Sequence, residues 1–373
     1  MFSTASGRIL KIIKDLPEIQ ELLIEMEDYQ LPQRAYNFPS LFRRVEVGET
    51  VLLNTSAVKL GLGTGGRHFV LPSYDERSQT ESVKSSGHIM KLRYTPWQYP
   101  VLSVEEEASP YHQTLIRADN LEGTPVVSAS LHSMLPGIIL GFRENYKKNP
   151  KIAYIMTDGA ALPLYLSDLV RELKAKKLLD LTITAGNAFG GDLEAISIPS
   201  ALIAARQTIQ ADLIIVALGP GIAGTGTKLG FSGIEQSWVI DLTHKLGGIS
   251  VTVPRVSGAD LRERHFGISH HTLTILELAN HPSMLALSNL LPQELKQHVW
   301  ENLKKYNLLQ NNHWYHTDEP SAAELFQKYD LKTKSMGRNV AEDPGYFQST
   351  VAAGFLAAHV ATGNLSLLEK VGE

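Results

Sequence analysis

Cysteine is absent from the 373 residues. A chain without thiols has no disulfide framework, no cysteine-ligated zinc and no thiolate nucleophile, and it fits a reducing compartment. A basic excess is missing as well. Lys and Arg number 35 against 39 Asp and Glu, a net charge of −4, which argues against nucleic acid as the main partner. Long apolar runs are also missing: the longest, such as MLPGIILGF, reach about half of the roughly 18–20 residues that a bilayer span requires. The opening MFSTASGRILKIIKDLPEI lacks the continuous apolar core and small-residue cleavage site of a signal peptide. A cytoplasmic protein with no membrane partner is expected.

What is present is ordinary globular material, 43% hydrophobic and 20% charged, in a chain longer than the roughly 250–300 residues at which single cores stop growing. Up to about residue 105 the texture is β. GRILKII, IQELLIEM, the Val51–Leu53 run and RHFVL alternate or are β-branched, with turn signals about every ten residues, which predicts a small barrel-like β domain over 1–105. The polar, Ser-rich stretch Pro72–Gly87 reads as a mobile loop. GHIMKLRYTPWQ, with Lys91, Arg93, Tyr94 and Trp97, combines basic and aromatic residues that could stack a base, so RNA or single-strand binding stays open as an alternative.

Over 106–285 strand-like and helix-like runs alternate. TPVVSASL, KIAYIMT, DLTITAG, ADLIIVAL and GISVTVP are the expected strands. Helical patterns lie between them: Leu162, Leu166, Leu169, Val170 and Leu173 share one face, a second helix opens near Pro199, and a third opens at Ser232 with Glu235 completing an S-x-x-E capping box. This order means βαβ units, a parallel sheet and a Rossmann-like three-layer α/β domain. Beyond His281 the pattern reads as helical without strands, giving a C-terminal extension over 286–373 that could carry a homo-oligomer contact.

In open parallel sheets ligands bind beyond the carboxyl ends of the strands. The loops after the five runs are rich in Gly, Asp, His and Ser, whereas those before them (YKKNPK, KAKKLLD, RQTIQAD, HKLGG) are plain solvated helix ends. GPGIAGTGTKLGFSG satisfies G-x-G-x-x-G at Gly219, Gly221 and Gly224, but no helix opens at the second or third glycine, and Thr227 displaces Lys228 from the P-loop position. What survives is an anion cradle of Gly221, Gly224, Thr225, Gly226, Thr227 and Lys228, or simply a loop that lets backbone pass close to backbone. His270 and His271, behind the N-cap candidate Ser269, are acid/base candidates or structural histidines, and Arg262, Arg264 and His265 add an anion-binding alternative. Asp158 and Asp192 are catalytic or capping carboxylates. With His132 they are the candidate ligands of a divalent metal, and Asn187 in the same set of loops is a candidate ligand contact.

The motifs VLLNTSAVKLGLGTGG, GHIMKLRYTPWQ, MTDGAALPLYLSDLV, TAGNAFGGDLEA, GPGIAGTGTKLGFSG and GISHHTLTIL together resemble a family of bacterial proteins known as a domain of unknown function, over about Leu52 to Leu276. The resemblance implies a bacterial cytoplasmic protein of this two-part layout and no activity. The residues themselves point to an enzyme acting on a small anionic metabolite, phosphorylated or nucleotide-like. The alternative is a metabolite sensor or scaffold without turnover.

Overall fold

The computed structural model describes residues 3–62, 65–72, 87–146 and 148–372. The loop expected over Pro72–Gly87 lies, from 73 to 86, outside them. The chain divides into two compact units, Met1–Val101 and Leu102–Glu373.

In the first unit, β1 (Thr4–Asp15), β2 (Gln20–Glu25), β3 (Gln33–Asn37), β4 (Thr50–Asn54) and β5 (Arg67–Leu71) close into a barrel in the order β1-β2-β3-β5-β4, with the short α1 (Ser56–Lys59) before β5. β1 pairs with both β2 and β4, and two register shifts between Ile9 and Lys14 bend it around the closure. Alternate residues such as Ile9, Leu22, Ile24 and Leu53 fill the interior. A hairpin of β6 (Ile89–Lys91) and β7 (Tyr99–Val101) follows. It splits the basic-aromatic stretch: Lys91 is buried, Tyr94 is fully exposed, and Trp97 meets Phe42 edge-on at 5.1 Å.

The second unit opens with α2 (His112–Leu115) and β8 (Pro125–Ala129), then α3 (Leu135–Asn145), β9 (Ile152–Thr157), α4 (Asp168–Ala175), β10 (Leu181–Ala185), β11 (Leu193–Ala195), α5 (Ile198–Ile209), β12 (Leu213–Leu218), α6 (Gln236–Lys245) and β13 (Ile249–Thr252). A two-stranded ribbon, β14 (Val256–Ser257) with β15 (Gly267–Ile268), leads into α7 (His270–Leu278). Then come β16 (Met284–Ser288), α8 (Gln293–Lys305), α9 (Leu308–Asn311), β17 (His313–Thr317), α10 (Ala322–Lys328) and α11 (Pro344–Thr362). Eight parallel strands make one sheet, ordered β11-β10-β9-β12-β8-β13-β16-β17.

Central strands are buried on both faces, which is why they read as continuous apolar runs. Ile152, Tyr154 and Met156 of β9 point to one core and Ala153 and Ile155 to the other. Moving from β8 to β9 to β10 puts α3 and α4 on the first face. The return through β12, β13, β16 and β17 puts α5, α6, α7 and α8 on the opposite side, the segregation that one crossover hand imposes. The first face over β8, β13 and β16 would therefore lie bare, and α11 covers it with 15 of its 19 residues buried. The reading of a strandless chain beyond His281 is corrected: β16 and β17 extend the sheet, and α11 belongs to its core. Two helices start later than their apolar pattern. Ser167 caps α4 through Val170 N, and a 3-10 turn over Ser232–Glu235 precedes α6. Among the described residues no helix is long and apolar enough to cross a membrane.

Candidate functional site

β8 and β12 are sheet neighbours, and the chain leaves them toward opposite faces, through α3 and α6. The loops that follow them part at this point, and a crevice at the strand ends is the usual result. The glycine loop after β12 is a self-closed hairpin. Thr225 N donates to Gly230 O at 2.7 Å, Gly224 bridges Phe231, and Ala223 N donates to Ser232 Oγ at 3.1 Å. Thr225 and Thr227 share a hydroxyl hydrogen bond of 2.9 Å, and Lys228 pairs with Glu277 of α7 at 2.6 Å. The side chains expected to cradle an anion are thus engaged in holding the loop, while Gly221 and Gly226 take positive φ and leave its backbone uncovered.

The base of this loop meets the start of α7. Phe231 stacks on His271 with ring centroids 3.9 Å apart and planes 3° from parallel. A Cβ on Gly224 would lie 3.9 Å from His271 Nε2, so glycine here gives ordinary contact with the imidazole and no bulk between them. Ser269 caps α7 by accepting from His271 N, and the same Oγ lies 2.7 Å from His265 Nδ1. The β14–β15 ribbon thereby folds His265 back onto its near neighbours in sequence. Ring nitrogens of His265, His270 and His271 all lie within 4.8 Å of one another, the sole such group of metal-ligating side chains among the described residues. His270 Nε2 and His271 Nδ1 are buried without a hydrogen-bond partner.

Arginines surround the three rings. Arg255 and Asp260 are both buried and 3.4 Å apart, Arg262 grips Asp260 at 2.9 and 2.7 Å, and Arg338 lies 3.6 Å from Asp260 and 3.1 Å from Asp343. Hydrogen bonds from Arg262 hold the Asp260 carboxyl well below its usual range. Arg264 lies outside these pairs, with its guanidinium 3.9 Å from where a Gly226 Cβ would stand. Burial first, and the charges of Arg255 and Arg262 next, push His265 down to about 3. Burial and neighbouring His270 take His271 to about 3, and burial and Arg264 lower His270. All three are neutral imidazoles at physiological pH. They are poor proton acceptors there but are in the form that ligates metal.

A carboxylate that sequence reasoning assigned to a helix cap stands on the same loop. The Glu235 carboxylate makes no capping hydrogen bond: it accepts from Thr157 Oγ1 at the end of β9 and is buried. Burial, with the Asp158 charge as a lesser contribution, pushes it up to about 7. Asp158 accepts from Asn187 N at 3.0 Å, and Gly186 takes a positive φ where a Cβ would strike the Asp158 carboxylate at 2.5 Å. Asp158, Asn187 and Glu235 therefore share the rim.

The expected metal group of His132, Asp158 and Asp192 is not assembled. His132 is lowered to about 4 by burial, and its two nitrogens face Tyr154 OH at 3.1 Å and Ser167 Oγ at 2.6 Å. Asp192 folds back to the start of β10, bonding Thr182 N and Oγ1 at 2.8 Å and pairing with Lys174. It pins the edge strand β11 to its neighbour, away from the strand ends. Arg262, expected to take a ligand, is committed to Asp260.

No curated protein matches this chain. A family model described as "Protein of unknown function (DUF3866)" matches residues 34–354, from β3 through most of α11 and across the whole rim, and the chain belongs to that family.

Proposed function

We propose that the chain is an enzyme acting on a small anionic metabolite, phosphorylated or nucleotide-like, held at the C-terminal rim of its parallel sheet. The observation that carries this reading is the excess of guanidinium over carboxylate around the histidines. Arg255, Arg262, Arg264 and Arg338 stand against Asp260, Glu263 and Asp343, one positive charge more than negative. Arg255 is buried while Arg262 and Arg264 face solvent, so the surplus is presented at the surface, where positive charge attracts an anion. Arg264 beside Gly226 is the cation outside the internal pairs, and the loop backbone at Gly221 and Gly226 allows close approach. Glu235, poised near neutrality beside Asp158, is better matched to proton transfer than His270 or His271. Thr225, Thr227 and Lys228 support the rim without touching the ligand, and Asp192 lies away from it.

Inorganic phosphate, sugar phosphates and nucleoside mono-, di- and triphosphates, tested by thermal melting and titration calorimetry, are expected to include a ligand that raises Tm. Arg264→Ala is expected to weaken that ligand about tenfold, the scale of one charged hydrogen bond. A panel without effect on the wild type, or equal binding by Arg264→Ala, overturns the reading. Binding without turnover leaves the alternative, a metabolite sensor.

A further inference from the structure

We infer that His265, His270 and His271 form a three-nitrogen site for a divalent transition-metal ion of the zinc class, with the remaining coordination position open. The assignment deepens the anion reading and rests on the same rim, but its test requires no anion. Nitrogens bound to one tetrahedral ion at 2.0–2.1 Å stand roughly 3.3 Å apart. Here three ring nitrogens already lie within 4.8 Å of one another, a gap that small rotations of the side chains close.

Two independent observations point to a ligand. His270 Nε2 and His271 Nδ1 are buried and unpartnered, side by side at one cluster, and buried polar atoms ordinarily have a partner. Two of the three rings are also held in place: His265 by Ser269 at 2.7 Å, the outer hydrogen bond that orients metal-bound imidazoles, and His271 by the face of Phe231. The three ligands come from one local unit, the 3-10 turn at Glu263–His265, β15 and the first turn of α7, so the site does not wait on distant closure.

Neutral imidazole donors select zinc, cobalt or nickel over magnesium or calcium, which take oxygen. Three protein ligands with one open position is the arrangement of catalytic sites, where structural zinc sites close all four. The arginines disfavour a bare cation. Asp260, engaged with Arg255, Arg262 and Arg338, screens those three, and an anion on Arg264 would complete the balance.

The test uses the full chain stripped by a chelator and dialysed against Zn²⁺ or Co²⁺ alone. One metal per chain is expected, with the intense visible absorption of tetrahedral Co²⁺, and no competition from Mg²⁺ or Ca²⁺. His265→Ala, His270→Ala and His271→Ala are each expected to lose stoichiometric binding, and the exposed His313→Ala to keep it. Metal retained by the three variants, or no stoichiometric binding by the wild type, overturns the assignment. Should a variant not fold, the wild-type Co²⁺ spectrum decides, because octahedral oxygen coordination also overturns it. Phosphate binding to the stripped chain reports on the anion reading separately, since either ligand can bind where the other fails.

Discussion

Glu235 is a buried acid with its carboxyl raised from near 4.5 to about 7, and that shift makes it a source of pH-dependent stability. The folded state holds the proton more tightly than the unfolded chain, so stability falls as pH rises from about 4.5 to 7 and is fully retained below that window. A rise of that size corresponds to a contribution on the order of 3 kcal/mol. Glu235→Gln keeps the volume and removes the titration. Urea denaturation at pH 5 and at pH 7.5 is expected to show the wild type losing stability relative to the variant, and parallel curves would refute this. The residue was invisible in sequence because Ser232-x-x-Glu235 is a good capping box, while Ser232 is drawn to Ala223 and Glu235 to Thr157 on a strand far away in the chain. In sequence His265 is no more than part of a cationic loop, since it takes a two-residue ribbon to bring it onto His270 and His271. Asp158 and Asn187 were legible as rim residues because they directly follow strands. Asp192 follows a loop that runs back down the sheet, which no local pattern announces.

Among elements, the crossing of α3 and α11 tolerates the least change. A Cβ on Gly141 would lie 2.0 Å from Val351 O, and one on Gly354 would lie 2.0 Å from Ile138 O. In each case the obstacle is backbone, which cannot rotate away as a side chain can. Gly141→Ala and Gly354→Ala are each expected to lower stability by about 3 kcal/mol or more, at or above the usual range for overpacking. Gly258→Ala, whose Cβ would meet Leu295 at an ordinary 3.7 Å, is expected to stay within about 0.5 kcal/mol. Chemical denaturation distinguishes them, and an unchanged midpoint in Gly354→Ala would contradict the close crossing. The five expected strands of the second unit were legible because burial on both faces demands uninterrupted β-branched or apolar runs. β16 and β17 were not: MLALS has no β-branched residue, and HWYHT mixes polar with aromatic side chains. Their strand character comes from pairing with each other and with β13 rather than from local preference.

For the second unit as a whole, the segment expected to be an extension is integral. A chain ended after Ser283 lacks β16, β17 and α11 and is expected to lose near-ultraviolet circular dichroism and to bind a hydrophobic dye; a cooperative melt like that of the full chain would show that the sheet stands without them. The barrel and the α/β layers were legible together because period-two alternation and strand–helix alternation differ so plainly on either side of about residue 105. The need for α11 was not legible, because it follows from which way the crossovers turn. That topology also has a timetable. A polypeptide emerging from the ribosome can dock α5, α6, α7 and α8 as each is made, but α11 comes after every strand it covers. Until it arrives, one face of a nearly complete sheet is an adhesive apolar plane, and the nascent chain is a natural client for chaperones.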